Sequence, residues 1–197
     1  VVSDVGSTKQ SALAAFAQHL PQHLPQCVAA HPIAGSDRSG ALAAQFGLYQ
    51  DKKLILCPHE TQNLEVEALV GRLWQAVGAQ IFRMSAQEHD AVFAAVSHLP
   101  HILAFAYVHQ ILDHADGATY LDFAATGFRD FTRIASSHPA IWTDICFANR
   151  GSLLKLIEGQ QRQLEKIASL LRNGDSDGLY RYFAEAKQTR DDWLERQ

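Results

Sequence analysis

The sequence is short of cysteine, methionine and net positive charge, and each shortage narrows what the chain can be. Its three cysteines, Cys27, Cys57 and Cys146, are scattered and odd in number. They form no disulfide framework and no C-x-x-C metal or redox pair, which fits a reducing compartment, so a cytoplasmic location is expected. The only methionine is Met84, so none opens the chain. With 17 basic against 21 acidic side chains, the chain has no basic excess of the kind nucleic-acid binding calls for. Phosphate loops are missing too: there is no G-x-G-x-x-G and no P-loop, and no G-x-S-x-G marks a hydrolase nucleophile. The longest apolar stretch, residues 91–112, is broken by His98, Pro100, His101, His109 and Gln110. A bilayer span there would bury several polar groups, so a buried, kinked helix is expected and no membrane anchor. The opening residues have neither a charged n-region nor a long apolar core, and no signal peptide is expected.

What is present is globular. The 197 residues are 47% hydrophobic and 19% charged, long enough for one or two domains with a real core and too apolar for disorder. Up to Met84, short apolar runs at 27–30, 54–57 and 79–82 read as buried strands. Helical patterns lie between them. Ser7 with Gln10 three residues on has capping-box spacing ahead of Ala12, Leu13, Ala15 and Phe16. In 64–77, Val66, Leu69, Val70, Leu73, Trp74 and Val77 fall on one face of a 3.6-residue period. Strands alternating with helices imply a parallel sheet with crossovers, half of a doubly wound α/β layout.

After Met84 the strand signals stop. Ser85 with Glu88 is a second capping box, opening a long apolar helix that bends near Pro100. Helical patterns follow at 127–137, at 138–150 behind Pro139, and at 151–172, where Asn173-Gly174 is a stop signal. The stripe Leu153, Ile157, Leu164, Ile167, Leu171 either packs on its own domain or is shared with a second copy of the chain.

Three clusters could carry chemistry. His31 directly follows a buried strand, so it stands at the carboxyl edge of the sheet, where open α/β folds bind ligands. An imidazole there either takes a proton from a substrate hydroxyl or merely caps the strand. His98 and His101, three apart, invite a zinc reading without an evident third ligand; the other use is two histidines hydrogen-bonded in a helical core. Arg129 and Arg133, four apart and accompanied by the apolar Phe128 and Phe131, suit a carboxylate or phosphate, or else an internal ion pair with an acid such as Asp130.

Further segments extend these clusters in order along the chain: Asp4-Val5-Gly6-Ser7-Thr8-Lys9, His31-Pro32-Ile33-Ala34-Gly35-Ser36, Leu54-Ile55-Leu56-Cys57-Pro58, His89-Asp90, Val96-Ser97-His98-Leu99-Pro100-His101, Gly127-Phe128-Arg129-Asp130-Phe131-Thr132-Arg133-Ile134-Ala135, and Pro139 with Trp142 and Asp144-Ile145. As a set they resemble the prephenate/arogenate (cyclohexadienyl) dehydrogenase family of tyrosine biosynthesis. The resemblance implies a Rossmann-like remnant over 1–84, the C-terminal portion of a dinucleotide-binding domain, followed by an all-α dimerisation and substrate-binding domain over 85–197. It implies that the glycine-rich loop and the NAD-versus-NADP determinant lie upstream of Val1.

The implied reaction is oxidative decarboxylation of prephenate to 4-hydroxyphenylpyruvate with hydride transfer to NAD or NADP, in a cytoplasmic homodimer. By resemblance His31 is the catalytic histidine at the C4 hydroxyl and Ser7 aligns it with the nicotinamide, while Ser7, Lys9 and Pro32 contact the cofactor. Arg133 binds a substrate carboxylate, and Ser97, His101 and Trp142 line the side-chain end of the pocket. Ser36 and Asp37 take the place of a Thr/Ser-Glu pair at the pocket mouth, where the acid pairs with Arg133; Asp37 is the shorter acid. Thr126 lies in a stretch associated with inhibition by tyrosine. Three alternatives stand beside this: an arogenate dehydrogenase that forms tyrosine, a non-catalytic dimerisation and ligand-binding fragment, and a helical metal hydrolase built on His98 and His101.

Overall fold

The apolar runs and the helical periods become strands and helices in the computed structural model, which describes residues 1–35 and 40–196. The first part comprises β1 (Val2–Ser3), α1 (Lys9–His19), β2 (Cys27–Pro32), β3 (Lys53–Cys57), α2 (Leu64–Ala76) and β4 (Gln80–Arg83). The second is helical: α3 (Ala86–Phe93), α4 (Leu99–Leu112), α5 (Gly117–Asp122), α6 (Thr126–Thr132), α7 (Pro139–Ala148), α8 (Arg150–Arg172) and α9 (Ser176–Leu194). By packing the chain divides into two compact units, Val1–Leu153 and Leu154–Gln197, so α8 begins in one and continues into the other.

The strands form one sheet in the order β1-β2-β3-β4. β1 runs parallel to β2, and β3 parallel to β4, each pair joined through a helix. The central pair corrects the expectation of an all-parallel sheet: β2 and β3 are antiparallel, with His31 opposite Ile55. A parallel return needs a crossover, usually a helix. Between β2 and β3 the described residues supply only the 3-10 turn Ala41–Ala43, so the chain comes back antiparallel.

Side chains alternate across the sheet as the two-residue period demands. Cys27, Ala29, Ile55 and Cys57 pack with Phe16 of α1 and Ala86 of α3, while Val28, Ala30, Leu54 and Leu56 pack with Val70 of α2. Half of the expected α2 stripe makes this contact: Val66, Val70 and Trp74 pack on the sheet, whereas Leu69, Leu73 and Val77 stay exposed. The Asn63 side chain caps α2 by accepting the Glu65 N–H at 2.9 Å. Ser85 caps α3 as its sequence spacing predicts, accepting the Glu88 N–H at 3.1 Å.

The bend expected near Pro100 takes the form of a π turn, Ala94–His98, between α3 and α4. Pro100 has no N–H for the carbonyl one turn earlier, and widening the preceding turn by one residue relieves that loss. Among the described residues, the continuous helix Ala86–Leu112 is long and apolar enough by length and composition to cross a membrane. Its polar side chains His89, Asp90 and His98 are buried against protein groups instead. The expected burial holds on one side only, at Ala94, His98 and Ala104, while Val92, Val96, Tyr107 and Leu112 are exposed.

In the unit Leu154–Gln197, α8 stops at Gly174, whose φ of +64° lies in the left-handed region glycine favours. Asp175 then caps α9, accepting the Gly178 N–H at 2.8 Å. The Tyr182 hydroxyl donates to Gln163 Oε1 at 3.0 Å, and Lys166 lies over the Tyr182 ring.

Candidate active site

His31 is the fifth residue of β2 and Ser7 lies in the loop between β1 and α1, so both stand at the carboxyl edge of the parallel pair β1-β2. That edge opens into a cavity of about 670 Å³ whose far walls come from the π turn, α4, the 3-10 turn Arg133–Ser136 and α7. Ser7, His31, Pro32, Ser97, His101, Arg133 and Trp142 all line it, with Ile33, Phe93, His138 and Ile141 among the other groups. A volume of this size suits a small-molecule site. Ser36 and Asp37 lie outside the described residues. Thr126 opens α6, is exposed, and is not a lining residue.

Lys9 is placed away from the cavity. Its side chain is fully buried, with the ammonium on Asp4 and on the Ala30 carbonyl oxygen at 2.6 Å. Asp4 in turn accepts the Ala30 N–H at 2.9 Å. This buried pair clamps β2 at the residue before His31. Burial lowers the Lys9 pKa, and the hydrogen bond and charge of Asp4 oppose that shift.

The helix start also differs from its sequence pattern. Thr8, not Ser7, is the N-cap of α1, and Thr8 makes no side-chain cap bond. The orphan N–H groups of the first turn go to Asp90 of α3: Lys9 N–H donates to Oδ1 at 2.7 Å and Gln10 N–H to Oδ2 at 3.0 Å. A carboxylate from another element thus does what Ser7 could have done locally, at the end of the helix where the backbone dipole favours negative charge. It leaves Ser7 to the cavity wall.

Asp90 reaches His31 through one more side chain. His89 Nδ1 lies 2.8 Å from Asp90 Oδ1, and His89 Nε2 lies 2.8 Å from His31 Nδ1. His89 and Asp90 are fully buried. Phe93 packs its ring against both imidazoles, with centroids 5.0 Å from His31 and 4.5 Å from His89. From α7's carboxyl end, the Asn149 amide donates to the Asp90 carbonyl at 2.7 Å and lies 3.3 Å from His98 Nδ1. Sequence reasoning assigned no role to His89, Asp90 or Asn149. The signal available was a polar pair on the α3 face that also carries Ala86 and Phe93, where an apolar side chain would be expected.

Burial, followed by the electrostatic influence of the neighbouring His89, Lys9 and His98, lowers the His31 pKa to about 3, so its ring is neutral near pH 7. His98 is lowered to about 4, again by burial first. Burial alone would raise the Asp90 pKa, but the hydrogen bonds from His89, from the Lys9 and Gln10 backbone and from the Gln10 side chain outweigh it, and the net direction is down. The Cys57 thiol is pushed up to about 12, chiefly by burial, and is inert at neutral pH.

His98 and His101 diverge. His98 points to Asn149 and sits edge-on to Trp142, whereas His101 stacks on Trp142 at a centroid distance of 3.6 Å and donates from Nδ1 to the Ser97 carbonyl at 2.8 Å. Among the described residues no three His, Cys, Asp or Glu side chains converge as a metal site. Arg133 lies at the start of the 3-10 turn, where the helical register with Arg129 is broken, and of the two only Arg133 lines the cavity.

The family model of the prephenate dehydrogenase nucleotide-binding domain matches residues 1–83, and that of the prephenate dehydrogenase dimerization domain matches residues 85–185. The chain belongs to the prephenate dehydrogenase family. It is 39% identical over 193 residues to the prephenate dehydrogenase of Bacillus subtilis (strain 168), covering 97% of this chain and 52% of that protein. It is 32% identical to the cyclohexadienyl dehydrogenase of Zymomonas mobilis, covering 96% of this chain and 65% of that protein. Among solved structures, it is similar to the prephenate dehydrogenase from A. aeolicus in complex with hydroxyphenyl propionate and NAD+, with a TM-score of 0.89, 35% identity, and coverage of 98% of this chain and 66% of that one. Synechocystis arogenate dehydrogenase matches with a TM-score of 0.82 at 25% identity, over 98% of this chain and 69% of that one. The chain spans 52% and 65% of the length of these two curated relatives. Rossmann-like strands followed by a helical part are thus the family's architecture and this chain's.

Proposed function

We propose that this chain supplies the substrate site and the nicotinamide end of the cofactor site of a tyrosine-biosynthetic dehydrogenase. The reaction is oxidative decarboxylation of prephenate to 4-hydroxyphenylpyruvate, using NAD+ or NADP+. The observation that carries it is the meeting of His31 and Arg133, far apart in sequence, on the wall of one cavity at the carboxyl edge of β2. The residue roles, and a join between nucleotide-binding and helical parts at Met84-Ser85, belong to the same proposal; the family matches to 1–83 and 85–185 support that join.

The cavity fits the nicotinamide end of the cofactor. Ser7 offers a hydroxyl and Pro32, Ile33 and Phe93 offer apolar surface beside His31, a donor set suited to a flat carboxamide-bearing ring. A glycine-rich pyrophosphate cradle does not occur in these residues. When bound, NAD(P)+ would supply the acceptor for the hydride leaving C4 of the substrate ring. His31, kept neutral by burial, takes the hydrogen bond and then the proton of the C4 hydroxyl. Arg133 holds a carboxylate of the substrate and so fixes the ring's position. Loss of carbon dioxide from C1 makes the ring aromatic and leaves a phenol oxygen, to which His31 can return the proton. The proton is thus borrowed rather than released.

Arogenate, with an amine in place of the side-chain keto group, is the competing substrate, and the stacked His101 and Trp142 form the wall that would meet that difference. A homodimer through the helical half, a cytoplasmic location and a response to tyrosine belong to the same proposal; the exposed Leu164, Leu171, Tyr180 and Phe183 support the dimer.

The test is formation of reduced cofactor with prephenate and with arogenate, each with NAD+ and NADP+, on this chain and on this chain preceded by a family phosphate-binding segment. Turnover in the longer form is expected. Binding of 4-hydroxyphenylpyruvate without turnover in either form would instead favour a ligand-binding module.

A further inference from the structure

The buried pair His89-Asp90 lies directly behind His31, and neither residue lines the cavity. With His31 taken as the proton acceptor of the proposed reaction, we infer that His89 and Asp90 are positioning residues, a relay that fixes the His31 tautomer with Nε2 as the open acceptor on the cavity side.

The proton count along the chain of contacts leads to that tautomer. Asp90 is an ionised carboxylate whose oxygens already accept from the Lys9 and Gln10 N–H groups, so it can only accept from His89. The hydrogen of the 2.8 Å contact between His89 Nδ1 and Asp90 Oδ1 is therefore on His89. The negative charge of Asp90 is already shared by the amino end of α1 and the nearby buried Lys9 ammonium. With its Nδ1 hydrogen committed to Asp90, fully buried His89 faces His31 through Nε2, the ring nitrogen left to accept. Neutral His89 with hydrogen on Nδ1 presents a bare Nε2. The 2.8 Å contact to His31 then requires hydrogen on His31 Nδ1, and His31 Nε2 is left with its lone pair.

Fixing the tautomer has two effects. The resting imidazole is held ready to accept, with no rotation or proton exchange before reaction. When His31 takes the hydroxyl proton, its new positive charge is met through Nδ1–H and His89 by the Asp90 carboxylate, with no proton leaving His31 for the aspartate. Phe93 packs on both rings, whose planes stand at 62° to one another.

Two measurements test the relay. In the first, nitrogen-15 imidazole shifts of this chain, with His31 assigned from the His31→Asn spectrum, should show His31 protonated at Nδ1 and bare at Nε2. The opposite tautomer overturns the relay without reference to activity. In the second, turnover is measured in the cofactor-competent polypeptide for His89→Leu, which removes both hydrogen bonds, and His89→Gln, whose amide can accept from His31 and donate to Asp90. His89→Leu should lower kcat roughly 100-fold with KM within about twofold, and His89→Gln should recover at least about tenfold of that loss. A kcat unchanged in His89→Leu while His31→Asn is inactive overturns the relay and leaves the role of His31 standing. Unchanged turnover in His31→Asn is the separate failure of His31 as proton acceptor.

Discussion

Lys9 Nζ donates to the carbonyl oxygen of Ala30 at 2.6 Å, binding the start of α1 to the residue that precedes His31 in β2. The ammonium is fully buried and, among the described residues, its carboxylate partner is Asp4. Removing the ammonium leaves part-buried Asp4 and the buried Ala30 carbonyl without their partner. Lys9→Met should therefore lower unfolding stability by about 3 kcal/mol, read from urea denaturation. An unchanged midpoint together with weakened cofactor binding would assign Lys9 to the cofactor instead.

His31→Asn keeps a polar group of similar reach but removes a base that can hold a full proton. Turnover should fall roughly 100- to 10,000-fold with little change in KM, as measured by steady-state reduction of cofactor.

Arg133 sits on the cavity wall in an exposed setting, so the binding contribution expected of it is moderate. Arg133→Gln should weaken substrate or product binding by about 1.5–3 kcal/mol, the usual worth of a charged hydrogen bond. Calorimetric titration with 4-hydroxyphenylpyruvate checks it, and equal affinity would remove Arg133 from the carboxylate site.

Acid should destabilise the chain before the carboxylates titrate. His31 and His98 have pKa values lowered from 6.5 to about 3 and about 4 in the folded state. Between those values and 6.5 the unfolded chain binds more protons than the folded one, so stability falls as pH falls through this window. Tm should drop by roughly 5 to 10 degrees from pH 7 to pH 5. The lowered pKa of Asp90 acts in the same direction at still lower pH, where its protonation removes the acceptor that His89 and α1 share. A Tm that is level from pH 7 to pH 5 would contradict neutral burial of the two imidazoles.

Local chemistry made much of the fold legible. The strands at Cys27, Leu54 and Gln80 announce themselves as short apolar runs, and Ser85 caps α3 because its acceptor and the Glu88 N–H are neighbours in sequence. The antiparallel step between β2 and β3 was not legible, since it depends on what does not intervene between two strands. Ser7 looked like a cap because a local pattern cannot reveal that Asp90, distant in sequence, arrives first. In the site, His31 could be read because it directly follows the apolar run 27–30, although β2 continues through it to Pro32. His89 and Asp90 could not be given a role, because their partners come from β2 and α1.

The capping of α1 by Asp90 also bears on how the protein can be cut. A piece ending at Met84 would retain β1, β2 and the whole of α1, yet it would lack the carboxylate that holds the first turn of that helix closed. Slow amide exchange at Lys9 and Gln10 would thus report the docking of α3, a residue pair in the nucleotide-binding part serving as a gauge for the arrival of the helical one.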